Sequence, residues 1–109
     1  MSIVDNLESM LKRGQDSALL RYSLGAEYLK TDETERALEH LAEAVRLDPD
    51  YSAAWKLYGK ALTATGRHAE AIVALDRGIA VAETKGDIQA AKEMKVFRKR
   101  ADRALTAAD

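Results

Sequence analysis

Apolar residues recur along this chain at the spacing of an α-helix. Leu20, Leu24 and Tyr28, for example, lie four residues apart, which places them in one line along a helix. Similar apolar lines, separated by polar turns and glycines, predict six helices. The first predicted helix spans residues 3–13, and the second extends from a cap at Asp16 or Ser17 to about residue 30. The other four span 34–47, 51–65, 68–83 and 87–105. The pattern therefore predicts an all-α fold.

Polar residues and a proline mark where the predicted helices begin and end. Asp16 or Ser17 is placed to cap the second helix, and Asp87 to cap the last one. Pro49 cannot continue a helix, so the third helix should end before it, and Asp50 is placed to cap the fourth. Each capping side chain should accept a hydrogen bond from a backbone N–H at the start of its helix.

The sequence repeats itself at an offset of 34 residues. The segment Leu24-Gly25-x-x-Tyr28 recurs loosely as Tyr58-Gly59-x-x-Leu62. At the same offset, identical residues pair as Asp16 with Asp50, Thr31 with Thr65, Ala37 with Ala71 and Leu41 with Leu75. Asp32 and Gly66 also occupy equivalent positions, and both residue types tolerate the left-handed conformation that ends a helix. A period of this length built from two helices is typical of repeat proteins.

The repeated residues resemble the tetratricopeptide pattern, W-x2-L-G-x2-Y followed by A-x3-F and then P. The first repeat supplies Leu24, Gly25, Tyr28, Ala37, Leu41, Ala44 and Pro49, and the second supplies Trp55, Tyr58, Gly59, Leu62, Ala71 and Leu75. Arg21 stands where the first repeat should have Trp, and Glu83 where the second should have Pro. The resemblance implies a right-handed α-solenoid, in which small residues at Gly25, Gly59 and Gly78 let the paired helices approach closely.

On this resemblance, residues 1–109 form one domain with repeat 1 at 18–51 and repeat 2 at 52–85. Two repeats alone would be marginal, and terminal units need a polar outer side. We therefore expect the 3–13 helix to cap the N-terminal end and the 87–105 helix to be a solvating cap at the other end. The predicted apolar line of that last helix is Ile88, Ala91, Met94, Phe97 and Ala101.

Composition constrains the class of protein further. Cysteine is absent, which excludes disulfides and fits a reducing compartment. The N-terminal residues lack a basic segment and a long apolar run, and no stretch approaches about 18 continuous apolar residues. We therefore expect a cytoplasmic protein without a membrane span.

The net charge of −1 hides an uneven distribution along the chain. Residues 1–50 carry 6 Lys and Arg against 11 Asp and Glu, whereas residues 85–109 carry 7 against 4. An acidic start and a basic end can attract partners of either sign, or a second copy of the same chain.

Enzymatic function is not predicted from the inventory of side chains. The sequence has no P-loop, no Gly-rich dinucleotide fingerprint, no cysteine nucleophile and no G-x-S-x-G motif. His40 and His68 lie 28 residues apart, which is no metal-ligand spacing, and we expect His40 to be exposed and His68 to open a helix. The prediction is a protein without catalytic residues, cofactor or metal.

A binding surface is predicted from the resemblance. In tetratricopeptide proteins the first helix of each repeat lines a concave groove that holds extended peptides or partner helices. The equivalent residues here are Tyr22, Ala26, Leu29, Lys30, Lys56, Lys60 and Thr63. Three lysines beside an apolar strip suit an acidic or carboxylate-bearing segment of a partner protein. The family's carboxylate clamp is not predicted, because Tyr22, Ala26 and Leu57 replace its Lys and Asn residues.

The function predicted from the sequence is therefore a non-catalytic protein–protein interaction module. One alternative is a self-associating scaffold, present as a monomer or weak homodimer. Another is weak nucleic-acid binding through the basic last helix, which carries Lys92, Lys95, Arg98, Lys99, Arg100 and Arg103. Base stacking is not provided for there, since Phe97 is the one aromatic residue of that helix.

Overall fold

Within residues 2–107, which the computed structural model describes, the chain forms six helices. They are α1 (Ile3–Lys12), α2 (Ala18–Lys30), α3 (Thr34–Leu47), α4 (Ser52–Ala64), α5 (His68–Lys85) and α6 (Ile88–Ala107). All six predicted helices are present, and no end differs from the prediction by more than two residues. The helices fall into two compact units: unit 1 contains α1–α3 and extends to Pro49, and unit 2 contains α4–α6 and begins at Asp50.

The core of unit 1 lies where α2 packs against α3. Leu24 and Leu41 are fully buried, and α1 covers α2 with partly buried apolar side chains. Those side chains are Val4, Leu7, Met10 and Leu11. The large apolar side chains of α1 thus face the core except at Ile3, which is 61% exposed.

Ser17, rather than Asp16, caps α2. The Ser17 hydroxyl oxygen accepts a hydrogen bond from the Leu20 backbone N–H at 3.1 Å. Asp16 instead binds the Arg21 guanidinium, with its two carboxylate oxygens 2.8 and 3.1 Å from two guanidinium nitrogens. At the other end of α2, Asp32 adopts φ 58°, the left-handed conformation that the repeat pattern predicts.

Gly25 and Gly59 lie where the two helices of a pair approach each other closely. A Cβ atom added at Gly25 would lie 2.6 Å from Leu41 Cγ, and one at Gly59 would overlap the side chain of Leu75. Real Cβ atoms do not approach neighbours so closely, so the helix–helix packing requires glycine at both positions. The packing role that the resemblance implied for these two residues is confirmed.

In unit 2, α6 packs against both α4 and α5. Ala91, Met94 and Ala101 are buried as predicted, Ala90 is also buried, and Phe97 is partly buried. The prediction for Ile88 is wrong, because this side chain is 66% exposed. Six residues separate Ile88 from Met94, which rotates the two side chains by about 120° from each other around the helix.

One of the two capping residues predicted in unit 2 lies at the capping position of its helix. Asp87 Oδ1 accepts a hydrogen bond from the Ala90 backbone N–H at 3.2 Å, so Asp87 caps α6 as predicted. The capping position of α4 lies one residue beyond the predicted Asp50, because α4 begins at Ser52 and Tyr51 precedes it. The Tyr51 side chain forms no capping hydrogen bond. The Asp50 carbonyl accepts a hydrogen bond from Lys85 Nζ.

Candidate functional site

In unit 1, four side chains share one face of α2, which we call the α2 face: Leu19, Tyr22, Ala26 and Lys30. Their spacing of three, four and four residues keeps them in one line along the helix. Leu19 is 65% exposed, and Tyr22 and Ala26 are partly exposed beside it. The sequence prediction missed Leu19, although the same spacing would have found it.

Leu29 and Lys30, the other residues of α2 that were predicted to bind a partner, differ in solvent exposure. Leu29 packs partly against the core of unit 1 and contributes less surface than predicted. Lys30 keeps 70% of its side chain exposed while its ammonium lies 2.7 Å from Glu27 Oε2. Exposed pairs of this kind are weak, so Lys30 remains available to another carboxylate.

In unit 2, the predicted residues on α4 form the α4 face: Lys56, Lys60 and Thr63. Lys56 Nζ lies 2.7 Å from Glu93 Oε2 on α6. This hydrogen bond, together with one from Gln89, lowers the pKa of Glu93 below its ordinary value. Thr63 donates its hydroxyl hydrogen to the Gly59 carbonyl at 2.8 Å.

Lys60 also contacts α6. Its ammonium lies 5.1 Å from the centre of the Phe97 ring, and the Arg100 guanidinium lies 5.2 Å from the same centre. Both distances are in the range of cation–π attraction. The last helix therefore contacts both lysines of the α4 face, a relationship that the sequence prediction did not include.

A second group of polar side chains lies between the helices of unit 1. The Tyr28 hydroxyl donates to Glu8 Oε1 at 2.7 Å, and the Tyr28 ring stacks on His40 with centroids 5.6 Å apart. Arg21 Nη1 lies 3.2 Å from His40 Nδ1. Because a guanidinium only donates, Nδ1 accepts this bond and the proton of the neutral ring lies on Nε2, 3.6 Å from Glu8 Oε1.

The expectation that His40 is exposed is wrong, since only 13% of its side chain is accessible. Burial lowers the pKa of His40 below its ordinary value, the Glu8 carboxylate opposes that shift and the Arg21 guanidinium adds to it. Burial also raises the pKa of Tyr28, and its hydrogen bond to Glu8 acts in the same direction. Only the packing of α2 against both α1 and α3 brings these groups together, so no spacing in the sequence indicates them.

The stacked rings of Tyr28 and His40 line a cleft of about 530 Å³ that is also lined by residues of α1 and α3. We call it the acidic cleft because its lining includes four carboxylates and two basic side chains. The carboxylates are Asp5, Glu8, Glu33 and Glu39, and the basic residues are Lys12 and Arg36. The Arg36 guanidinium lies 5.6 Å from the centre of the Tyr28 ring and 3.7 Å from Glu33.

Two other features are absent from the part of the chain that the structure describes. Residues 2–107 contain no cluster of three or more His, Asp or Glu side chains that could hold a metal ion. Over the same residues, no helix has the length and apolar character needed to cross a membrane.

Helix pairs that approach at glycines repeated 34 residues apart define a helical-repeat protein. The chain belongs to the tetratricopeptide repeat family, whose model matches residues 28–94. Domains of this family are in general non-catalytic interaction modules, and the match indicates no enzyme family. The predicted family and the predicted all-α helical-repeat fold class are both confirmed.

Similarity to known proteins supports this family assignment. The TPR repeat-containing protein PA0015 of Pseudomonas aeruginosa is 52% identical over 104 residues, which cover 95% of this chain and 99% of that protein. The solution structure of protein BPP2914 from Bordetella parapertussis is 43% identical with a TM-score of 0.78, and the match covers 94% of this chain and 90% of that one.

A more distant structure has the same fold. It is the TPR2B domain of yeast Sti1 in a complex with pHsp70, which matches with a TM-score of 0.83. The match covers 92% of this chain and 80% of that one at 21% identity. At that identity the likeness shows the fold alone.

Proposed function

We propose that this chain is a non-catalytic module that binds a segment of a partner protein, and that the α2 face is its principal contact surface. The observation that carries the proposal is Leu19, a large apolar side chain that is 65% exposed on α2 beside the partly exposed Tyr22 and Ala26. Adjoining exposed apolar side chains mark protein-interaction sites, and tyrosine is among the residue types that contribute most binding energy at interfaces. Membership of a family of interaction modules supports the same function.

The chemistry of the α2 face favours a partner segment with an apolar side chain and a carboxylate. The apolar side chain would pack against Leu19 and Tyr22, and the carboxylate would pair with the Lys30 ammonium. Lys30 lies about 11 residues after Leu19, which is roughly 16 Å along the helix. A segment of an acidic amphipathic helix or an extended acidic peptide has this spacing available.

Lys56, Lys60 and Thr63 remain proposed contacts of the α4 face. A partner carboxylate that binds Lys56 has to compete with Glu93, whose carboxylate already lies 2.7 Å away. The Lys56 side chain is 31% exposed, whereas that of Lys30 is 70% exposed, so the α4 face offers less to a partner than the α2 face does. The cytoplasmic location inferred from the sequence stays a prediction.

Affinity capture from a native lysate tests the proposal with a closely matched pair of variants. Leu19→Ser removes the exposed apolar side chain of the α2 face, whereas Val73→Ser removes one that is 64% exposed on α5. We expect a protein retained by the wild type and by Val73→Ser to be lost with Leu19→Ser. Isothermal titration of the captured partner against the three purified chains should give the same order.

The proposal also predicts that partner binding depends on the charge of Lys30. Lys30→Glu should weaken the same interaction, and the wild-type affinity should fall as salt screens the contact. Equal retention of every partner by the wild type and the Leu19→Ser and Lys30→Glu variants would overturn the assignment to the α2 face. Circular dichroism establishes that each variant is folded before capture.

A further inference from the structure

The exposed side of α6 carries a strip of basic side chains. Ile88, Lys92, Val96, Lys99 and Arg103 fall within an arc of about 80° around the helix, and we call them the α6 basic face. Ile88 is 66% and Val96 50% exposed, so two apolar side chains lie among three exposed cations. This composition is that of an amphipathic docking surface rather than of a purely polar one.

The charges on this face differ from the other charges of the same helix. Lys95 is paired with Glu83 at 3.2 Å and Arg98 with Asp76 at 2.6 Å, both within unit 2. Among the residues that the structure describes, Lys92, Lys99 and Arg103 form no ion pair. Their attraction for an external acidic surface is therefore not offset by an internal partner.

The acidic cleft of unit 1 has the complementary composition. Asp5 on α1 and Glu39 on α3 both line it, and within the described chain neither forms an ion pair. Val4 also lines the cleft, and the neighbouring Ile3 is 61% exposed. The cleft thus combines unpaired carboxylates with nearby apolar surface, as the α6 basic face combines unpaired cations with Ile88 and Val96.

We propose that the α6 basic face of one copy of this chain docks on the acidic cleft of a second copy. Lys92 and Lys99 approach Asp5 and Glu39, and the aliphatic side chains of both surfaces are removed from water. Because the two surfaces are different, the contact is heterologous. An assembly of any number of copies then keeps one α6 basic face and one acidic cleft unoccupied at its ends, unless the ends meet and close a ring. The association goes beyond the binding proposed for the α2 face and uses none of its residues.

Nucleic acid is the alternative partner for a basic helix, and the structure favours it less. Phe97, the one aromatic residue of α6, already contacts the cations of Lys60 and Arg100 and is not free to stack on a base. Electrostatic attraction alone would remain, and it would not account for the exposed Ile88 and Val96.

Charge-swap complementation tests the proposal in solution. Multi-angle light scattering at protein concentrations up to about 1 mM should show the wild type above its monomer mass of 12.0 kDa in low salt, and close to it in high salt. Lys92→Glu/Lys99→Glu and, separately, Asp5→Lys/Glu39→Lys should each be monomeric, because each variant presents two surfaces of like charge. Mixing these two variants should restore association.

A matched control separates this contact from a general effect of net charge. Arg13→Glu/Arg46→Glu changes the net charge by the same amount as Lys92→Glu/Lys99→Glu but leaves both proposed surfaces intact, so it should still associate. Circular dichroism checks that all variants are folded, and Glu39→Lys alone replaces the double variant if Asp5→Lys loosens the first turn of α1.

Three results would overturn the proposal. The wild type could remain at 12.0 kDa over the whole range, the two reversed variants could associate as the wild type does, or their mixture could fail to associate. A monomeric wild type whose binding to an RNA oligonucleotide is weakened by Lys92→Glu/Lys99→Glu would assign the α6 basic face to nucleic acid instead.

Discussion

The ammonium of Lys56 on α4 lies 2.7 Å from the carboxylate of Glu93 on α6, so the last helix supplies a carboxylate to a lysine that the sequence predicts as a ligand contact. Both side chains are partly exposed, which makes the pair weak as a source of stability. The pair affects binding as a competitor of the same modest strength, because a partner carboxylate can occupy that position on Lys56 only after Glu93 has left it.

The first prediction concerns the protonation of Glu93. Its pKa lies below the ordinary value because of the hydrogen bonds from Lys56 and Gln89. Lys56→Gln removes the stronger of the two influences, so the pKa of Glu93 should rise towards that of an isolated glutamate. A ¹³C-carboxyl NMR titration measures it directly.

Lys92→Gln is the matched control for this titration, since Lys92 adjoins Glu93 in sequence but forms no ion pair among the described residues. It should leave the pKa of Glu93 nearly unchanged. If the Lys56→Gln and wild-type titrations coincide, the Lys56–Glu93 pair does not persist in solution.

The second prediction concerns the close approach of α4 and α5 at Gly59. Gly59→Leu should lower the free energy of unfolding by about 1–3 kcal/mol or more, because even a Cβ at this position overlaps the Leu75 side chain. Urea denaturation measures the change, and Ala64→Leu on an exposed position of the same helix serves as control. An unchanged midpoint for Gly59→Leu would show that the repeat register assigned here is wrong.

The third prediction concerns stability below neutral pH. The folded chain holds His40 neutral, and burial lowers its pKa, whereas the unfolded chain binds a proton near pH 6.5. The unfolded state therefore binds more protons just below about pH 6.5, and the free energy of unfolding should fall as the pH drops through that value. Urea denaturation at a series of pH values measures the slope.

His40→Gln should reduce that slope. The groups that face His40 are Glu8 from α1 and Arg21 and Tyr28 from α2. Equal slopes for the wild type and His40→Gln between pH 7.5 and 5.5, a window around the ordinary histidine pKa, would contradict the burial of this side chain.

Local signals in the sequence were sufficient for most of the fold. Apolar spacing predicted the six helices, and the shared position of Gly25 and Gly59 predicted the close helix–helix contacts, because both features depend on residues within one repeat. The capping position of α4 lies at Tyr51, one residue beyond the predicted Asp50, and no local pattern excludes a shift of this size.

The candidate sites were less predictable because they depend on helices that are distant in sequence. The burial of His40 results from contacts with α1 and α2, and the pairing of Lys56 results from α6, 37 residues further along the chain. Leu19 is different: its exposure follows from the same helical spacing that identified Tyr22 and Ala26, so it could have been found from the sequence.

The position of Met94 has a consequence for the chemical durability of the chain. In a protein without cysteine, methionine sulfur is the atom most open to oxidation, and sulfoxide formation would introduce a polar oxygen into the core of unit 2. Met94 is fully buried, with its sulfur against Gly78, so an oxidant reaches it only when α6 separates from α4 and α5. The rate at which Met94 is oxidised by dilute peroxide therefore reports how often this last helix opens.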